Sequence, residues 1–349
     1  MNITRRRFLE VGATAAAAMA LPATLGAQSK EVYYVTYPGS VDEAFKKVVG
    51  PAFIRNSGGI NAIFTPMLNI DLIGKIKAAQ ANPPFDVAMF DDGPLLTAIK
   101  DGLVERFDTS GIKAITDVPE NLRNRSGYGP VVSLTAVGIA YNPRKIPTPP
   151  TSWSDLWDPK YKGRVGIVGP ASTLGTTFLV EIAKLNGGSE INVEEGFKVY
   201  KTLIPNLGAV GPSPGGLVTM FQQGQVDIGP QFFNNVAAMK SRGGDIAFAV
   251  PKEGLALQTI TVCQIANAKN KAAGRSLIET IFSVDVQQGL EAEPYVMLPT
   301  NAKVKLSGQN AALAADVSAL LAKGKFLDWT KFVDLRPSWI DRFNRDVKL

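Results

Sequence analysis

Histidine is absent from the 349 residues, and cysteine occurs once, at position 263. Without histidine the chain cannot form Ser-His or Cys-His nucleophile pairs, histidine-based zinc sites or a histidine general base. A single cysteine cannot form an intrachain disulfide, and the apolar run 260–266 around Cys263 predicts a small buried side chain. These absences disfavour an enzyme and remove the commonest protein metal sites.

Dense Lys/Arg runs and basic–aromatic stripes are also missing, although the net charge is +6. Nucleic acid binding normally needs such a basic surface, so we expect no nucleic acid partner. The chain has neither a GxSxG motif nor a phosphate-binding glycine motif, and no internal repeats. With 45% hydrophobic and 19% charged residues it has a globular composition. We predict a binding protein without a cofactor.

The first 27 residues resemble a secretory signal peptide of the twin-arginine type. Arg5-Arg6-Arg7 precedes Phe8-Leu9, an alanine-rich apolar stretch covers 11–25, and we place cleavage after Ala27. An uncleaved anchor is the alternative, but the stretch is shorter than the roughly 20 residues of a membrane-spanning helix. We therefore expect export to the periplasm. Removing three arginines and one glutamate lowers the net charge from +6 to about +4.

Strand-like and helix-like patterns alternate along the chain, which predicts an α/β fold with parallel strands. The predicted strands are 31–36, 60–65, 85–90, 165–168 and 226–229, and the main helices are 71–81, 172–186, 194–203, 271–283 and 284–291. Two longer apolar runs, 131–141 and 259–266, bracket the second group of elements. We expect these runs to be strands on which the chain leaves one lobe and returns to it.

This pattern predicts two α/β lobes joined by two hinge strands, with a cleft that can close. Lobe one is expected to contain 28–137 and 264–349, and lobe two 138–263. The C-terminal helices of the tail can contact both lobes.

Several sequence blocks occur in a fixed order: 151–157 (TSWSDLW) with 159–163 (PKYKG), 223–229 (QGQVDIG), 251–254 (PKEG), 265–271 (IANAKNK) and 299–301 (PTN). These blocks are similar to those of bacterial extracellular solute-binding proteins of family 1, above all the spermidine/putrescine-type periplasmic receptors of ABC importers. The resemblance covers about residues 31–301. It implies a type II periplasmic binding protein fold, and a monomeric receptor that delivers a small solute to a permease and its ATPase in the inner membrane.

The departures from the polyamine receptors concern the solute. Near Gln258 and Ile260, and in the loop 169–173, this chain has no carboxylate where those receptors have acidic residues. It also lacks the late tyrosine pair of ferric-ion receptors. We therefore expect a polar or zwitterionic organic solute. A polyamine receptor is the alternative, and a ferric-ion receptor or a cleft enzyme ranks below both.

Solutes in such sheets bind beyond the carboxyl ends of the strands, where helices begin. We select candidate ligand-binding residues by this rule and by their position relative to the family blocks. They are Thr36, Tyr37, Asp91, Asp92, Ser133, Ser172, Thr173, Phe232, Phe233, Asn234 and Gln258. Metal ligands are not predicted among them. Tyr37 can stack on a solute or merely shape a turn. Asp91 and Asp92 can pair with an ammonium group, or Asp92 can cap the following helix.

The other candidates also have two interpretations each. Ser172 and Thr173 can bind an anion at a helix start or serve as an ordinary N-cap. Of Phe232 and Phe233, we expect one to line the cleft and the other to lie in the core, with Asn234 as a polar contact.

Overall fold

Residues 31–347, the part of the chain described by the computed structural model, form an eleven-stranded mixed sheet with surrounding helices. The predicted signal peptide lies outside these residues. The strands are β1 Glu31–Thr36, β2 Asn61–Pro66, β3 Val87–Asp91, β4 Val131–Tyr141, β5 Val165–Val168, β6 Leu207–Gly211, β7 Ile228–Phe232, β8 Ala247–Ala249, β9 Leu255–Gln264, β10 Leu298–Pro299 and β11 Gly324–Phe326. No helix among the described residues is both long and apolar enough to cross a membrane.

The α-helices alternate with these strands and are joined by short 3-10 turns. They are α1 Ser40–Ala44, α2 Gly50–Asn56, α3 Asn69–Ala78, α4 Asp92–Lys100, α5 Glu120–Arg123, α6 Thr173–Leu185, α7 Glu194–Leu203, α8 Pro214–Gln222, α9 Phe233–Ser241, α10 Lys271–Ile281, α11 Val284–Glu291, α12 Gly308–Leu313, α13 Val317–Lys323 and α14 Arg336–Asp346. A π-helical turn, Phe45–Val49, joins α1 to α2.

The first three strands lie side by side in the order β2-β1-β3, and both contacts are parallel. This agrees with the predicted strand–helix alternation. The other neighbour of β3 is β9, which runs antiparallel to it. The sheet is therefore mixed, because the chain returns to this lobe on a strand of opposite direction.

The two long strands β4 and β9 connect the halves of the molecule, as predicted. They pair antiparallel with each other from Val131 and Thr261 to Val137 and Ala256. Beyond that region β4 pairs with β7, whereas β9 pairs with β3. Every residue of both strands is buried, which explains their nearly continuous apolar sequence.

Three buried clusters form the cores. Two of them hold β1 to β3 with their helices, and we call this half lobe one; Cys263 is fully buried there, as expected. The third cluster forms lobe two around β5, β7, α6 and α7, with Trp153, Phe178 and Tyr200 at its centre. The two-lobed α/β architecture predicted from the sequence is confirmed.

The C-terminal segment crosses between the lobes a third time. Helix α13 packs in the core of lobe one through Val317. Strand β11 then pairs with residues 255–257 of β9, and Trp329 and Phe343 enter the core of lobe two. The tail thus contacts both lobes, and from residue 327 onward its buried side chains pack in lobe two. The lobe boundaries stay a prediction.

Candidate functional site

Asp91, the last residue of β3, connects the two lobes. Its Oδ1 accepts a hydrogen bond of 2.6 Å from the hydroxyl of Tyr37 in lobe one. Its Oδ2 accepts one of 2.7 Å from Oγ1 of Thr173, the first residue of α6 in lobe two. Three residues predicted from separate strand ends are therefore in direct contact, as expected when strand carboxyl ends face a common cleft.

Asn69 orients this cluster from the start of α3. Its Nδ2 donates to the carbonyl of Met89 at 2.8 Å, and its Oδ1 accepts from the backbone N–H of Asp91 at 3.1 Å. The hydroxyl of Tyr37 lies 2.9 Å from the same Oδ1, but its single hydrogen can serve one acceptor at a time. The sequence reasoning missed Asn69, although its place soon after β2 follows the same strand-end rule as that of Asp91.

Burial governs the protonation of these groups. It raises the pKa of Asp91 above the ordinary value, although the hydrogen bonds from Tyr37 and Thr173 and the charge of Arg336 oppose this effect. Burial, reinforced by Asp91, also raises the pKa of Tyr37 well above its usual range. Tyr37 therefore remains a protonated donor at neutral pH.

Arg336, the first residue of α14, brings a positive charge to the same place. Its Nε donates to Oγ1 of Thr176 at 3.0 Å, and its Nη2 donates to the carbonyls of Pro170 and Ala171 at 3.0 and 3.1 Å. Burial lowers the pKa of Arg336 to about 10, an effect that Asp91 opposes, so the group is a cation at neutral pH. No local sequence signal marked Arg336, because it reaches the site only through the third crossing.

Asp92 links α4 to the hinge strand β9 by hydrogen bonds. Its Oδ2 accepts from the backbone N–H of Thr259 at 3.0 Å, and its Oδ1 accepts from the hydroxyl of the same residue. Burial raises the pKa of Asp92, against the two Thr259 bonds and the charge of Arg125. Asp91 is the N-cap residue of α4, and no side chain caps that helix. The alternative in which Asp92 caps α4 is therefore wrong.

Gln258 is 1% exposed and lies on β9 between the lobes. Its Nε2 donates to the carbonyl of Thr173 at 3.2 Å and to Oγ1 of Thr177. Its Oε1 is buried and has no hydrogen-bond partner among the described residues. On the neighbouring strand, opposite Gln258, Thr135 donates to Oδ1 of Asn234 at 2.8 Å. Gln258 and Asn234 therefore belong to a polar row at the hinge.

Three other predicted hydroxyls are engaged within the fold. Oγ1 of Thr36 donates to Asp42 at 2.7 Å, and Oγ of Ser133 donates to the carbonyl of Leu298 in β10 at 2.8 Å. Oγ of Ser172 accepts from the backbone N–H of Gly175 at 3.1 Å, which makes it the N-cap of α6. The capping interpretation of Ser172 is the one that the structure shows.

The two phenylalanines after β7 differ in environment. Phe233 is 5% exposed and packs edge-on against Phe248 at a ring-centroid distance of 5.3 Å. Phe232 is partly exposed. Phe233 is thus a core residue, and a role for Phe232 as a cleft wall stays a prediction.

A cavity of about 290 Å³ lies elsewhere, near the C-terminal end of α6. Glu181, Lys184, Glu253 and Lys325 line it, and none of the predicted site residues does. We place the candidate site at Asp91, because the side chains there converge from strand ends of both lobes. Within residues 31–347, no three Asp, Glu or Cys side chains are grouped so as to hold a metal ion.

Residues 82–331 match the sequence model of a family described as bacterial extracellular solute-binding protein. The match contains Asp91, Thr173 and Gln258. The chain belongs to this family. Its family consists of solute-binding proteins rather than enzymes.

Similarity to individual proteins is low but extends over much of this solute-binding protein. A Haemophilus influenzae "Uncharacterized protein" is 26% identical over 290 residues, which cover 78% of each chain. The spermidine/putrescine-binding periplasmic protein of Escherichia coli is 25% identical over 202 residues, 54% of this chain and 55% of that protein. The structure of the PBP AgtB from A. tumefaciens in complex with agropinic acid matches with a TM-score of 0.76 at 20% identity, covering 91% of this chain and 98% of that one.

Proposed function

We propose that this solute-binding protein captures a small polar or zwitterionic organic solute in the cleft between its lobes. In this proposal it works in the periplasm as a monomer and hands the solute to an inner-membrane permease and its ATPase. The observation that carries the proposal is the Asp91 carboxylate, which is bonded to Tyr37 of lobe one and to Thr173 of lobe two. A group held by both lobes is well placed to sense a solute that enters between them.

The chemistry around Asp91 suits a solute with both donor and acceptor groups. Asp91 and the unpaired Oε1 of Gln258 can accept hydrogen bonds from an amine or a hydroxyl. Arg336 can donate to a carboxylate, a phosphonate or a hydroxyl oxygen. A solute with one end of each kind leaves the fewest buried groups unpaired.

A polyamine receptor is the second candidate, because the matched Escherichia coli protein is named for spermidine and putrescine. The second charge of a diamine argues against it. One ammonium group could bond Asp91, but Asp92 is already bonded to Thr259 and is opposed by the charge of Arg125. The second ammonium group would therefore be buried without a carboxylate partner, which is unfavourable.

Thermal unfolding in the presence of candidate solutes tests the proposal. A solute that binds only the folded state adds about 2.7 kcal/mol at a hundredfold excess over its Kd, enough to raise the melting temperature by several degrees. The panel contains amino acids, aminophosphonates, carboxylates, sugar phosphates and polyamines. Small-angle scattering on each stabilising solute measures whether the lobes close.

The variant Asp91→Asn should weaken the binding of the stabilising solute by roughly tenfold or more, because an unpaired buried group costs about 1–3 kcal/mol. Asp101→Asn is the matched control, since Asp101 follows the last residue of α4 and pairs with Lys77 of α3 at 3.0 Å. Equal affinities of the two variants would contradict the placement of the site at Asp91. Stabilisation by spermidine or putrescine alone would favour the second candidate.

A further inference from the structure

The C-terminal segment 327–336, which we call the C-terminal strap, lies between the first turns of α4 and α6. On the α4 side, Trp329 contacts Gly93 so closely that a Cβ atom on Gly93 would lie 2.3 Å from Cε3 of Trp329. On the α6 side, Arg336 is bonded to Pro170, Ala171 and Thr176. The strap therefore contacts both helix starts that flank the Asp91–Thr173 bond.

The strap carries hydrogen-bond donors that have no acceptor among the described residues. Nε1 of Trp329 is buried without a partner among residues 31–347, and the guanidinium of Arg336 lies 5.5 Å from the centre of the same ring system. The hydrogen bonds of Arg336 use Nε and Nη2, and Nη1 has no hydrogen-bond partner among residues 31–347. Its two N–H groups are free for an oxygen anion.

The two carboxylates of the candidate site are each opposed by the charge of an arginine. Each carboxylate has an arginine within electrostatic range, Arg336 for Asp91 and Arg125 for Asp92. Arg125 also packs on the third crossing, with its guanidinium 4.5 Å from the ring centre of Phe326. Two cations beside two anions leave no excess negative charge for a polycation. An arginine with unused donors favours a planar or tetrahedral oxygen anion.

We infer that Arg336 is a specificity-determining residue, which makes the cleft select a solute with an anionic group and reject polyamines. The inference rests on the proposed function and names the chemical class of its solute. A carboxylate, phosphate or phosphonate would accept from Nη1 of Arg336, while an amine or a hydroxyl on the same solute would face Asp91 and Oε1 of Gln258.

The test uses pairs of probes of similar length that differ at one end. Putrescine is compared with 4-aminobutyrate, cadaverine with 5-aminovalerate, and ethane-1,2-diamine with 2-aminoethylphosphonate. The Kd of each probe is determined from thermal unfolding and calorimetry for the full-length wild type, Arg336→Gln and Arg336→Lys. Arg345→Gln is the matched control, because Arg345 lies on the same helix, is 68% exposed and pairs only with Asp346 among the described residues.

We expect the wild type and Arg345→Gln to prefer the anionic member of at least one pair. Arg336→Gln should reduce that preference at least tenfold, and Arg336→Lys should restore part of it, because lysine keeps the charge but not the planar fork. The preference is a ratio within one variant, so a general loss of stability does not alter it.

Two outcomes would overturn the inference: no anionic probe binds the wild type, or Arg336→Gln keeps the wild-type preference. The failure of the proposed function looks different. If a polyamine alone stabilises the protein and closes its lobes, the receptor function is supported and only the role of Arg336 is wrong. If none of the probes and no solute of the wider panel changes the melting temperature or the scattering curve, the proposed binding cleft is wrong as well.

Discussion

Replacing Thr173 with valine should open the cleft. The substitution keeps the shape of the side chain but removes the donor of the 2.7 Å bond to Asp91. A hydrogen bond to a charged group contributes about 1.5–3 kcal/mol, so the ratio of closed to open molecules should fall on the order of 10- to 150-fold. Asp91 keeps its bond to Tyr37, which should hold the carboxylate in lobe one. The loss should therefore affect lobe closure more than folding.

A distance between the lobes measures this effect. Ile70 in lobe one and Ile191 in lobe two are 63% and 58% exposed, and each can be replaced with cysteine for a pair of labels. Cys263 should not interfere, because it is fully buried and burial raises the pKa of its thiol. Without solute, the labelled Thr173→Val protein should show a larger mean distance than the labelled parent protein.

Thr202→Val is the control, because Oγ1 of Thr202 donates to the carbonyl of Val199 within α7, at 2.9 Å. It should leave the distance between the labels unchanged. The reasoning is refuted if Thr173→Val has the same distance distribution as the labelled parent and the same affinity for the stabilising solute. In that case the Thr173–Asp91 bond would not contribute to closure.

Three further predictions concern stability. Ser172→Ala should lower the free energy of unfolding by about 1 kcal/mol in denaturant unfolding, because it removes the N-cap bond to Gly175 at 3.1 Å. The solute affinity measured by calorimetry should not change. A loss of affinity at unchanged stability would instead support a ligand-binding role for Ser172. Gly93→Ala should cost about 1–3 kcal/mol in denaturant unfolding, since its methyl group would lie 2.3 Å from Trp329; an unchanged midpoint would mean that the strap does not pack on α4. The raised pKa of Asp91 means that the folded state binds this proton more readily than the unfolded chain, so stability falls as pH rises from about 3.9 through the raised pKa. The melting temperature of the wild type relative to Asp91→Asn should therefore decrease from pH 4 to 7, and a constant difference would contradict the burial of this charge.

Local sequence patterns predicted most elements well where amphipathic or apolar periodicity was strong. Helices α7 and α11 and strands β4 and β5 have the predicted bounds. Strand β9 begins at Leu255, before the predicted residue 259. Its pairing with β4 continues as far as Ala256, N-terminal to the apolar run 259–266 from which the strand was predicted. The short strands β8, β10 and β11 were not predicted, since they form only through pairing with β4 or β9.

The candidate site was partly predictable for the same reason. Asp91 and Tyr37 follow strands, so the rule that solutes bind at strand carboxyl ends found them. The same reasoning also selected Thr36, Ser133 and Ser172. Their hydroxyls, however, have hydrogen-bond partners within the fold. Sequence position identifies the edge of a sheet, but it does not say which hydroxyl is already engaged.

The α/β alternation, the two long hinge strands and the family blocks can be predicted from the sequence, because each depends on residues that are close together along the chain. The bond of Thr173 in lobe two to Asp91 in lobe one, and the position of Arg336 beside them, follow only from the tertiary fold. Those contacts depend on the third crossing, in which β11 pairs with β9 and carries Trp329 and Arg336 to the cleft. The free energy of such long-range packing is shared among residues far apart in sequence, and no local pattern encodes it.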